Sequence, residues 1–140
     1  MSSIGRMLWR MAAGIWLGTV VFFSLVVARV VFVTVPMPAA GHFLTSIFPA
    51  YYAIGIWAGL AALTGGIVRL WGGRSRVLGG VWVLTFLAWA LVIWARYILS
   101  VMNHLTPSSI AFTRLHAESI ILNTVVGILL IGGFVIEAWT

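Results

Sequence analysis

Ser119-Ile-Ile-Leu-Asn-Thr-Val-Val-Gly-Ile-Leu-Leu-Ile-Gly-Gly-Phe-Val-Ile136 decides the fold class. It carries no charge, and a helix that crosses a bilayer needs roughly 18–20 predominantly apolar residues. Three comparable runs precede it: Met11–Ala28, Phe43–Val68 and Val77–Ala95, each interrupted by charges or by Pro and Gly. The whole chain agrees, with 63% hydrophobic and 7% charged residues among 140 and a mean hydropathy of +1.17. A soluble domain could not cover its surface with so few polar atoms. The short alternating segments of a membrane β-barrel are missing as well. The expectation is an all-α, polytopic membrane protein. It forms a single domain over residues 1–140, a four-helix transmembrane bundle with helices at roughly 9–34, 46–70, 77–100 and 110–137.

Charge then predicts topology. All eight basic residues are arginines, and Arg6, Arg10, Arg69, Arg74 and Arg76 lie before the first run or between the second and third. The positive-inside rule places those segments, and both termini, in the cytoplasm. The expected location is the inner (plasma) membrane, multi-pass. The net charge of +6 reports topology, so nucleic acid is not expected as a partner. The first run is too long for a signal peptide, has no convincing cleavage site, and is expected to be retained. With no cysteine, disulfides, thiolate metal sites and redox thiols are excluded.

Local signals set the connections. Val35-Pro-Met-Pro-Ala-Ala-Gly41 joins helices one and two, and its prolines stop the first helix. Thr45 or Ser46 is expected to cap helix two, with Pro49 in its first turn and His42-Phe-Leu44 along the interface. Trp71-Gly-Gly-Arg-Ser-Arg76 reads as a tight turn, and Ser108 or Ser109 as the cap of helix four. Trp9, Trp71 and Trp139 are placed at one membrane edge, as in an aromatic belt. Gly14-Ile-Trp-Leu-Gly18 and Gly55-Ile-Trp-Ala-Gly59 are small-xxx-small motifs that let helices approach closely.

The candidate site is the mouth of the last run, Phe112–Asn123. At 100° per residue, His116, Ser119 and Asn123 share a stripe, while Arg114 and Glu118 share the opposite side. Arg114 and Glu118 are expected to form an interfacial ion pair. The stripe has two readings: hydrogen bonds that organise the bundle, or a ligand or ion pocket opening outward. Arg29 and Arg96 either snorkel to headgroups or turn inward to hold an anion, beside His42. His42, His104 and His116 are weak metal candidates, because none repeats at the spacing of a helical ligand pair. Neither a catalytic pair nor a phosphate-cradling loop is recognisable. No cofactor is expected, with haem or a metal as the less favoured alternatives.

Three segments also carry a family likeness: Gly14-Ile-Trp-Leu-Gly18 with Phe22-Phe23, Ser46-Ile-Phe-Pro-Ala-Tyr-Tyr52, and His116-Ala-Glu-Ser-Ile-Ile-Leu-Asn123, with Ala95-Arg96-Tyr97 as a fourth point. Through them the chain resembles the transmembrane protein 205-like family, whose bacterial branch is a domain of unknown function. The resemblance implies a compact four-helix membrane bundle and brings no reaction with it.

Three functions stay open. The first is a non-enzymatic accessory or scaffold subunit of a larger membrane complex, respiratory or photosynthetic in type, touching other membrane subunits or copies of itself. The second is an outward-facing binding or transport module for a small anion, metal or lipid. The third is a haem- or quinone-linked oxidoreductase.

Overall fold

A computed structural model describes residues 2–73 and 76–139; Arg74 and Ser75 of the expected tight turn lie outside the described residues. Helix α1 (Ser2–Phe22) runs through a π turn (Phe23–Val27) into α2 (Ala28–Thr34), so the three together form the first span. The other spans are α3 (Met37–Trp71), α4 (Arg76–Met102) and α5 (Ile110–Ala138). Among the described residues no strand forms, and four helices are long and apolar enough to cross a membrane. This is the fold of a multi-pass membrane protein.

The spans run antiparallel around one core. α1 packs chiefly on α3, α3 on α4 and α4 on α5, and α5 closes the ring against α1. The core centres on Trp9, Trp16, Tyr51, Ala62, Ala88, Val92 and Leu130. One end of the bundle carries both termini and the α3–α4 turn; the opposite end carries the α2–α3 and α4–α5 connections. Gly73, at φ 154, supplies the left-handed backbone at the end of α3.

α3 is the main departure from expectation. It begins at Met37 rather than near residue 46, with Pro36 at its N-cap, so the proposed interfacial stretch is helix. Thr45 and Ser46 are not caps, since their hydroxyls donate back to the carbonyls of Gly41 and Phe43. Pro49 therefore sits inside the helix, where its missing N–H costs a rung. Burial outweighs that cost: the added turns press Ala40 and Leu44 against Val31 in a satellite cluster with Phe23, Val27 and Phe48.

α4 and α5 follow the sequence closely. The Ser109 hydroxyl accepts from the Phe112 N–H at 3.1 Å, the expected cap. At 29 residues α5 is about 43 Å long, more than the roughly 30 Å hydrocarbon core.

The two glycine motifs have different roles. Trp16, from the middle of the first motif, is fully buried and fills the groove of the second: a Cβ on Gly55 or Gly59 would lie 3.0 Å from its ring. Gly14 and Gly18 face away from the core, and nothing lies within 4 Å of a Cβ built at Gly18. Trp9 is also reassigned. It is 1% exposed and donates from Nε1 to Thr85 Oγ1 at 2.9 Å, so it belongs to the core, whereas Trp71 and Trp139 stay exposed.

Candidate functional site

The strongest polar assembly lies at the end that carries the termini. Glu137, in the last turn of α5, is 2% exposed. Its Oε1 accepts from Arg69 Nη1 of α3 at 2.6 Å, and Arg69 is itself 5% exposed. Its Oε2 meets both Nε and Nη2 of Arg10 at 2.7 Å. Arg6 approaches more loosely, with Nε 3.8 Å from Oε1. Among the described residues, three guanidinium groups from two helices thus surround one carboxylate on a third.

Each element delivers its charge for a local reason. Arg6 and Arg10 are one helical turn apart and share a face of α1. Gly5 and Gly65 bring α1 and α3 into backbone contact, since a Cβ on Gly65 would stand 2.7 Å from the Trp9 nitrogen. Arg69 follows Gly65 by one turn, so this crossing carries it to the cluster. A buried charge is tolerable only when paired and hydrogen-bonded. Here the pairing ties the ends of three helices together.

A second polar node sits toward the opposite end. Tyr51 of α3 donates its hydroxyl to Asn123 Oδ1 of α5. Asn123 Nδ2 in turn donates to Ser24 Oγ in the π turn at 2.9 Å. The turn is closed by the Ala28 N–H bonding to the Phe23 carbonyl, five residues back. Phe23 packs at a tilt against Tyr51 and Phe48 with centroids at 4.6 and 5.5 Å, walling the node with aromatic rings. Replacing Asn123 with Leu removes both partners at once. An expected loss of about 1–2 kcal/mol, read by unfolding in mixed micelles, checks the node. Ser119→Ala should stay within about 0.5 kcal/mol, because among the described residues the Ser119 hydroxyl bonds only to the His116 carbonyl of its own helix.

The predicted stripe therefore divides. Asn123 enters the bundle, Ser119 is satisfied locally, and His116 is exposed with its ring stacked on Phe112. The expected Arg114–Glu118 ion pair does not form among the described residues. Trp94, projecting from α4, donates to Glu118 Oε1 at 3.1 Å instead, and both charges stay exposed in solvent or headgroups. Arg29, His42 and His104 are exposed, and Arg96 is half-buried within electrostatic reach of the Tyr52 hydroxyl. Among the described residues, no three His, Asp or Glu side chains gather as metal ligands, so His42, His104 and His116 are not brought together.

Sequence reasoning missed the cluster by treating Arg6, Arg10 and Arg69 as topology signals alone. One sign was available: Glu137 is one of only two acidic residues, and it ends a long apolar helix at the depth of those arginines. A carboxylate there has few reasons to exist without a cation.

A four-span membrane bundle with this core and these two polar nodes defines the class, and the sequence pattern of one family coincides with it. The DUF4149 pattern, a domain of unknown function, matches residues 11–110, and the chain belongs to that family. The match covers most of the first span, α3 with Arg69, and α4; Arg6, Arg10 and Glu137 lie outside it. No curated protein and no solved structure matches the chain.

Proposed function

We propose that this chain is a small accessory subunit that docks against a transmembrane helix of a larger complex through α1. The observation that supports it is the open glycine pair. The same motif on α3 is filled by Trp16, whereas among the described residues nothing lies within 4 Å of a Cβ at Gly18 and the Phe134 ring only touches one at Gly14, at 3.9 Å. Gly14, Gly18, Val21 and Leu25 recur at four- and three-residue spacing, and all are exposed. Small-xxx-small faces allow the close backbone approach that membrane helices need in place of a hydrophobic drive. The interior side chains meanwhile serve to brace the bundle, through Trp9–Thr85, Arg69–Glu137 and Tyr51–Asn123–Ser24.

On this reading the protein resides in the inner membrane with both termini in the cytoplasm, as the arginine distribution favours. The motif likeness to the transmembrane protein 205-like family belongs to the same reading. Gly18→Leu fills the groove without touching the core. It is expected to reduce recovery of a stoichiometric partner from mild-detergent extracts by about tenfold or more, the effect of losing about 1.4 kcal/mol. The variant's own melting temperature should not fall. Unchanged recovery in Gly18→Leu, or an untreated extract that yields no stoichiometric partner, sinks the proposal. If that partner is a second copy of the chain, the complex is a homo-oligomer and the accessory role is lost.

A further inference from the structure

We infer that Arg6 and Arg10 form a phosphate-binding subsite on α1, taken up by the phosphodiester of an anionic membrane lipid. Charge is the first ground. Among the described residues, three guanidinium groups face one carboxylate, and such a concentration of positive charge attracts anions.

Geometry is the second. Arg69 and Arg10 make close hydrogen bonds to Glu137, but Arg6 does not. Its Nε is buried, has no hydrogen-bond partner among the described residues, and lies 3.8 Å from the carboxylate. Glu137 thus holds this guanidinium only loosely, and an oxyanion arriving from outside can make a charge-assisted bond to its exposed end, beyond the buried Nε. The Arg6 and Arg10 side chains are 41% and 48% exposed, so both remain within reach of a ligand from outside the bundle.

Shape is the third. The two arginines line an open groove of about 390 Å³ with Ser3, Met7 and Met11. Both methionines are 60% exposed. The groove thus joins a cationic head to an apolar wall that continues along α1, an order that fits a lipid headgroup followed by its acyl chain better than a free ion. It occupies the first three turns of α1, before the Gly14–Leu25 face, so a docked helix and a bound lipid need not exclude one another. Planar guanidinium groups suit this ligand because they meet phosphate oxygens in pairs.

The test uses the full chain, delipidated in mild detergent and exposed to vesicles of phosphatidylglycerol or phosphatidylcholine. Retained lipid is then counted by native mass spectrometry. Arg6→Gln removes one cation near the headgroup region and should lower the preference for phosphatidylglycerol about fivefold, the equivalent of roughly 1 kcal/mol. Arg76→Gln is the matched control. It is exposed and opens α4 at the same end, away from the groove, so it should leave the preference unchanged.

Equal loss in both variants would reduce the effect to diffuse surface charge and overturn the subsite. So would a wild-type chain that holds the two lipids alike. Should Arg6→Gln fail to assemble, Arg6→Lys is read instead. It keeps the charge but loses the planar fork, and is expected to lower the preference about twofold; an unchanged preference there also overturns the subsite. A second arm adds inorganic phosphate to the lipid-free chain. If phosphate raises the melting temperature of wild type but not of Arg6→Gln, while phosphatidylglycerol shows no preference, the ligand is a soluble phosphate and the lipid assignment fails.

Discussion

Glu137→Gln is expected to destabilise the bundle by about 3–5 kcal/mol, the usual cost of breaking a buried ion pair from one side. The substitution keeps size and shape but removes the charge that Arg69 and Arg10 share. Arg69 suffers most. At 5% exposed it cannot turn to water, whereas Arg6 and Arg10 can rehydrate. That asymmetry makes the prediction specific. The double variant Glu137→Leu with Arg69→Leu should recover part of the loss, because no buried charge is then left without a partner. Glu118→Gln, at an exposed carboxylate, should shift stability by no more than about 0.5 kcal/mol. Unfolding in mixed micelles reads all three. A Glu137→Gln protein as stable as wild type would show that the cluster does not hold the helix ends together.

The contrast between Glu137 and Glu118 explains how far the sequence could be read. Span number and rough placement followed from the apolar runs, because crossing a bilayer imposes a length and a polarity that few other constraints imitate. Ser109 was legible as a cap because the hydroxyl-to-amide bond is local. Pro49 misled for the converse reason. Local preference puts proline in a first turn, but burial of Ala40 and Leu44 against Val31 extends α3 backward past it. The expected Arg114–Glu118 pairing failed on a similar point. Arg114, His116 and Glu118 are concentrated in sequence, yet two charges one turn apart on an exposed face gain little by pairing. Arg6, Arg10, Arg69 and Glu137 are scattered over the chain and meet only after three helices have packed. Asn123 stood out in sequence as a polar residue in an apolar run; its partners Tyr51 and Ser24 depend on the helix crossing and on the π turn, which no sequence spacing announced.

The crossing of α1 and α3 carries the second large effect. A Cβ on Gly65 would stand 2.7 Å from the Trp9 nitrogen and 2.9 Å from the Gly5 carbonyl oxygen, and both contacts are backbone. Neither can rotate away, so Gly65→Ala must push two helices apart. A loss of about 1–3 kcal/mol is expected for that single methyl, and more for Gly65→Leu. Gly18→Ala adds the same methyl where nothing lies within 4 Å, and should fall within about 0.5 kcal/mol of wild type. The harm at Gly65 should also reach the ion cluster. Arg69 rides one turn beyond Gly65 on the same face, and separating the helices draws its guanidinium from Glu137 Oε1, now 2.6 Å away. Gly65→Ala and Glu137→Gln should therefore be less than additive, because each removes part of what the other removes. Unfolding free energies for wild type, both single variants and the double variant measure that coupling. Full additivity would mean that helix approach and ion pairing are independent, and that Glu137 reaches Arg69 whether or not the two backbones touch.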